Sequence, residues 1–252
     1  MLKQGLSIAK AHGDTRLEAL IATQLVWALA PFGRDADARA LARHVLALGT
    51  RENNAIWQAE AHWALAALDV RTQLWRDAFA AFEQARRIYA DTGIARNLAP
   101  VLVEIASAAG EARDPAKARE AADALRALAN DNPEFRASLP LVDASVLAST
   151  GDTRGSVDAL VRLLDARPPA PVAQSALFDL GHRALALGDA APLLARPEWK
   201  PYLDQHPDAI GLHIAAERLG GDTTAADAEQ QRLDALRLAP ELVLDPAWLA
   251  VD

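Results

Sequence analysis

The side chains that could do chemistry in this chain are six histidines, a surplus of carboxylates and many arginines. His12, His44, His62, His182, His206 and His213 are scattered along it, and only His206 and His213, with Asp208 between them, stand close enough to share a metal ion. Their seven-residue separation spans about two turns if helical, and Pro207 interrupts it, so packing and surface roles are the better reading and no metal is expected. Asp35, Asp37, Glu111 and Asp114 stand where helices should start. There a carboxylate caps free N–H groups and complements the dipole. No nucleophile or base accompanies them for acid–base work. Arg86 and Arg87 lie within helical reach of Glu83 and Asp91, which makes a paired, solvated face and not a phosphate site.

Cysteine is absent, which removes thiol nucleophiles, disulfide frameworks and every cysteine-based zinc or iron–sulfur site. The chain also lacks a glycine-rich phosphate loop, a GxSxG elbow, an HExxH motif and a calcium loop. The expectation is therefore a protein without catalytic residues or cofactor. A catalytic alternative uses His182, Asp204 and His206, and requires that they converge in a pocket. With 26 basic against 34 acidic residues the formal charge is -8, the wrong footprint for a nucleic acid or an anionic membrane. No run approaches the roughly 18 apolar residues of a membrane span, and the opening MLKQGLSIAKAHGD has no long apolar stretch. A cytoplasmic protein is expected, or a periplasmic one if the chain is part of a longer membrane-anchored protein.

The elements that position these side chains read as helices throughout. Of the 252 residues, 51% are hydrophobic, mostly Ala and Leu, and β-branched and aromatic residues are few. Apolar residues recur at helical spacing in Leu17, Leu20, Ile21, Leu25 and Ala28 and again in Trp75, Phe79, Phe82 and Ala85, and no segment alternates long enough for a strand. Thr15 with Glu18 reads as a capping box, and Asp114-Pro115, Asn132-Pro133 and Asp245-Pro246 as helix starts.

Repetition is the strongest signal. Ala38, Ala78 and Ala118 are spaced by 40 residues each time, and small or apolar residues follow each at the same offsets: Ala42 and Val45, Phe82 and Ala85, Ala122 and Leu125. Ser156, Leu160 and Leu163 continue the frame, a fifth repeat begins in LFDLGHRALALGDAAPLL, and a sixth is LHIAAERLGGDTTAADAEQQRL. Residues 1–252 thus read as one array of about six helical hairpins. Residues 1–13 form a partial repeat, 195–207 a degenerate one broken by Pro197 and Pro201, and 240–252 a C-terminal cap bearing Trp248 and Leu249.

Leu177, Leu180, Gly181, Ala184 and Gly188-Asp189 resemble the first helix and turn of a tetratricopeptide repeat, and the resemblance covers roughly residues 14 to 239. It implies a right-handed superhelical solenoid whose concave groove is lined by the first helix of each hairpin. Thr23, Trp27, Trp63, Ser107, Ser145, Phe178 and His182 fall at groove-facing offsets in that frame. The period exceeds the family's usual one of about 34 residues. In this it is similar to the helical arrays of bacterial signalling ATPases, kinases and transcription regulators. The implied function is non-catalytic: a scaffold or sensory module that holds a protein or peptide segment in the groove, with further domains of a longer chain upstream. The Lys/Asn pattern with which some members clamp a terminal carboxylate is missing, which argues against a chaperone-tail receptor. A purely structural module, which holds neighbouring domains of a longer chain or self-associates through residues 2–12, is the remaining alternative.

Overall fold

The computed structural model describes residues 2–196 and 207–237, and among them the regular elements are helices and no strand occurs. Leu2–His12 forms α1 and Thr15–Leu29 forms α2, which ends in a short 3-10 turn, Ala30–Phe32. Five helices of 17 residues follow: α3 (Asp35–Arg51), α4 (Ala55–Arg71), α5 (Trp75–Asp91), α6 (Ala95–Glu111) and α7 (Pro115–Asp131). After a 3-10 segment, Pro133–Ser138, come α8 (Leu139–Ser149), α9 (Thr153–Asp165), α10 (Ala170–Ala186), α11 (Ala191–Leu194), α12 (Pro207–Gly220) and α13 (Thr223–Arg237).

One turn, used repeatedly, explains the period. Gly13, Gly33, Asn53, Gln73, Gly93 and Arg113 all have positive φ, and they are 20 residues apart. In each case the following residue sends its N–H back five positions to the helix just ended: Asp14 to Ala9, Asn54 to Gly49, Leu74 to Asp69, Ile94 to Tyr89 and Asp114 to Ala109, all at 2.8–2.9 Å, and Arg34 to Leu29 at 3.3 Å. This is the bond by which a left-handed residue closes a helix and reverses the chain. Two such steps make the 40-residue repeat. From Gly151 onward the left-handed positions are Gly151, Arg167, Gly188 and Gly221, unevenly spaced, and the repeat shortens accordingly.

Helix starts are set by short polar side chains. Asp14, Asn54, Asp114 and Asp152 each accept one or two backbone N–H bonds of the first turn. Thr15 is therefore the first residue of α2 and Asp14, one position earlier, is its cap: a carboxylate accepts the Leu17 N–H at 3.0 Å and leaves the hydroxyl no capping task. Asn132-Pro133 opens a 3-10 segment and not an α-helix.

The chain falls into two compact units, one of them the described residues up to Val101 and the other Leu102–Leu236. In the first, α1 to α4 enclose a core that includes Leu6, Ile21, Leu25, Leu29, Leu41, Val45 and Leu68. In the second, α8, α9 and α10 pack around Leu141, Leu160, Leu164, Leu177 and Leu180, and α12 meets α13 through Ile210, Ile214, Ala226 and Leu233. The recurring small positions Ala38, Ala78, Ala118 and Ser156 are all completely buried, as the register requires. Each fully buried leucine contributes about 1.5–3 kcal/mol, so many modest increments hold each hairpin. The fifth repeat keeps a full first helix, α10, and the four-residue α11 follows it.

Between 195 and 207 only Ala195, Arg196 and Pro207 are described. Asp204, His206, the 240–252 cap with Trp248 and Leu249, and Asp245-Pro246 lie outside the described residues. Among the described residues no helix is long and apolar enough to cross a membrane.

Candidate binding site

In the first unit, aromatic side chains from successive helices meet edge to face. Trp27 on α2 and Trp63 on α4 have ring centroids 5.5 Å apart at 65°, and Trp63 and Tyr89 on α5 are 6.5 Å apart at 89°. Such contacts add about 0.5–1.5 kcal/mol each beyond the area they bury. The three rings grade from open to closed. Trp27 is 36% exposed, Trp63 is half-buried and Tyr89 is fully enclosed. Thr23, one turn before Trp27, is buried, and its hydroxyl donates to the Ala19 carbonyl at 2.9 Å. It helps seat α2 and presents nothing outward.

Glu60 stands one turn before Trp63 on the same face of α4, half-buried. Burial pushes its carboxyl above the usual range, and among the described residues no cation pairs with it. Burial likewise drives the Tyr89 phenol up to about 12, with the neighbouring Asn97 side chain opposing the rise and the Glu60 charge adding to it. The result is an aromatic step with one open ring and a carboxylate to which no described residue supplies a counter-charge. A cavity of about 540 Å³ elsewhere in this unit, between α3, α4 and α5, is lined by charges of both signs, and there Arg39 already meets Asp69 at 2.6 Å.

The second unit places Ser107, Ser145, Phe178 and His182 around a polar core that sequence reasoning missed. Arg183 on α10 is 5% exposed and donates to Ser156 Oγ at 2.6 Å, to Ser145 Oγ at 2.9 Å and to Asp179 Oδ2 at 2.8 Å. Ser107 donates to the other oxygen of Asp179 at 2.6 Å. Ser145 and Ser156 pass their own protons to the carbonyls of Leu141 and Ala144, at 3.0 and 2.7 Å. Each hydroxyl here donates once, and the guanidinium is met by a carboxylate, so a buried charge is tolerated. Glu111 borders the network, its carboxyl pushed up by burial and by Asp179 while His182 and Arg183 hold it down. Phe178 packs half-buried against the apolar core and His182 is exposed.

Of the seven groove candidates, then, Trp27 and Trp63 touch each other, Ser107 and Ser145 are joined through Asp179 and Arg183, and Thr23 and Ser145 are spent on internal hydrogen bonds. A trace of the network was present in the sequence as a carboxylate and an arginine four apart in a helix otherwise built of Leu177, Leu180, Gly181 and Ala184. The histidines divide similarly. His44 Nε2 meets the buried Glu18 at 2.6 Å, and burial, reinforced by Arg87, pulls His62 below its ordinary value. His12 and His182 are exposed, and His213 faces two glutamates. Of the catalytic alternative only His182 lies among the described residues. Compared with family models and with curated proteins, the chain matches none.

Proposed function

We propose that this chain is a non-catalytic helical-repeat module of the tetratricopeptide type that holds a protein segment against the Trp27–Trp63 face. One observation carries the reading: a 36% exposed tryptophan packed edge-on against a second, with a half-buried carboxylate that is unpaired among the described residues one turn from the second ring. An exposed indole is costly in water and is a common anchor of recognition. The segment that fits is one bearing an arginine or lysine. Its cation gains from the face of Trp27 and from the Glu60 carboxylate, which a neutral side chain does not. The 20-residue spacing of the left-handed turns supports a stack of hairpins, and the right-handed superhelix is part of the proposal. So is service as the sensory or scaffolding part of a cytoplasmic bacterial signalling or transcription regulator.

Tryptophan fluorescence with short peptides tests this, an arginine-containing peptide against the same peptide carrying neutral citrulline. The arginine peptide should bind about tenfold more tightly, and Trp27→Ala and Glu60→Gln should each remove that advantage. Equal binding of both peptides, or full binding by the Trp27→Ala protein, would overturn the reading. A self-association module is the second reading, favoured by Leu2, Ile8, Leu17 and Leu20, which remain 38–56% exposed on α1 and α2. Light scattering that shows a monomer at high concentration removes it.

A further inference from the structure

We propose that His213, Glu217 and Glu229 form a binding site for one divalent transition-metal ion, zinc(II) fitting best. The inference is independent of the partner reading, because it concerns only the α12–α13 hairpin of the second unit. His213 and Glu217 are four residues apart on one face of α12, and the reversal at Gly221, closed by the Asp222 N–H on the Glu217 carbonyl at 2.9 Å, folds α13 back along it. Ile210 and Ile214 against Ala226 and Leu233 set the register of the two helices. That register brings Glu229 to His213. The Nδ1 atom of His213 lies 3.3 Å from Glu217 Oε1 and 3.1 Å from Glu229 Oε2, and the three ligand atoms are all within 4.8 Å of one another. Their side chains are only 14%, 11% and 14% exposed.

Two carboxylate oxygens converge on a single ring nitrogen, and that nitrogen can carry one hydrogen at most. One N–H cannot point well at both oxygens. A metal ion at the centre resolves that competition by taking one lone pair from each group. A tetrahedral ion with bonds of about 2.0–2.2 Å holds its ligands about 3.3–3.5 Å apart, close to the separations His213 makes with each glutamate. Three protein ligands leave a fourth position for water. An imidazole nitrogen with so few oxygens suits zinc and its transition-metal neighbours. Magnesium and calcium prefer six or more oxygens.

The test is a titration of the full chain, stripped with chelator, using zinc chloride and then cobalt chloride as a visible probe. One zinc equivalent should bind at micromolar concentration or tighter, cobalt should show the intense visible bands of a tetrahedral ion, and zinc should raise the melting temperature. His213→Ala and the near-isosteric Glu229→Gln should each weaken zinc by about tenfold or more, and circular dichroism of the metal-free variants shows that they fold. Magnesium and calcium should give no saturable binding. No saturable zinc binding to the wild-type chain would overturn the proposal and leave a histidine–carboxylate ion pair only. So would zinc binding that survives unchanged in the Glu229→Gln protein, which would place the ion elsewhere.

Discussion

Replacing Arg183 by methionine tests whether the second unit depends on its buried polar core. The side chain is 6% exposed, makes three hydrogen bonds to side chains and faces an Asp179 carboxylate that is itself only 13% exposed. Methionine restores much of the volume, so the loss is electrostatic: Asp179 keeps the Ser107 bond but loses its counter-charge. Removing one partner of a buried pair costs about 3–5 kcal/mol, a large part of a domain's stability. Asp179→Asn should cost less, about 1–3 kcal/mol, because the amide oxygen still accepts a bond and Glu111 remains nearby to face the guanidinium. The double replacement Arg183→Met with Asp179→Leu removes both charges and should cost less than the sum, with a coupling of about 1 kcal/mol or more. Urea unfolding followed by circular dichroism gives the midpoints, and amide exchange in α8 to α10 localises the loss to the second unit. A single Arg183→Met variant within about 1 kcal/mol of wild type, or a strictly additive double variant, would refute the argument, because neither charge could then be effectively desolvated.

Ala78→Leu should destabilise by about 1–3 kcal/mol, since the completely buried Cβ has no room for three more carbons; an unchanged urea midpoint would show the repeat register to be wrong. Gln73→Gly and Arg113→Gly should each raise stability, by about 0.5–1 kcal/mol, because both residues sit at φ of 55–56° where a side chain is strained, and a fall in melting temperature would count against the turn assignment. Burial raises the Glu60 carboxyl, so its contribution to stability is full below the unfolded carboxylate value and is lost as pH rises through the raised folded value. Glu60→Gln should therefore remove that downward slope, leaving the rise of stability from acid to neutral pH steeper and the protein more stable at neutral pH. His62 has the opposite sign. Its lowered value gives stability that is full above the unfolded histidine value and lost as pH falls through the folded one, and urea midpoints of His62→Asn across that range should lack the slope.

What is local in this protein was legible in its sequence. Helix content follows from Ala and Leu at helical spacing, and the 40-residue recurrence of Ala38, Ala78 and Ala118 picks out positions that are completely buried. Even the Trp27–Trp63 contact could be anticipated, because two positions on equivalent helices of adjacent repeats are neighbours by construction. The finer turn chemistry was less legible. Gln73 and Arg113 occupy left-handed positions that glycine usually marks, and the cap of α2 is Asp14 and not its neighbour Thr15. Beyond the four-residue spacing of Asp179 and Arg183, the polar clusters were decided by tertiary structure. Asp179, Arg183, Glu217 and Glu229 read singly as charges on helix faces, and their local sequence does not tell which distant helix covers them. Ser107 and Asp179 are 72 positions apart, and His213 and Glu229 are 16 apart across a reversal of the chain. Helix periodicity is set by bonds spanning three to five residues, whereas the environment of a charge is set by whichever helix is packed over it, and that is fixed by how the apolar faces stack.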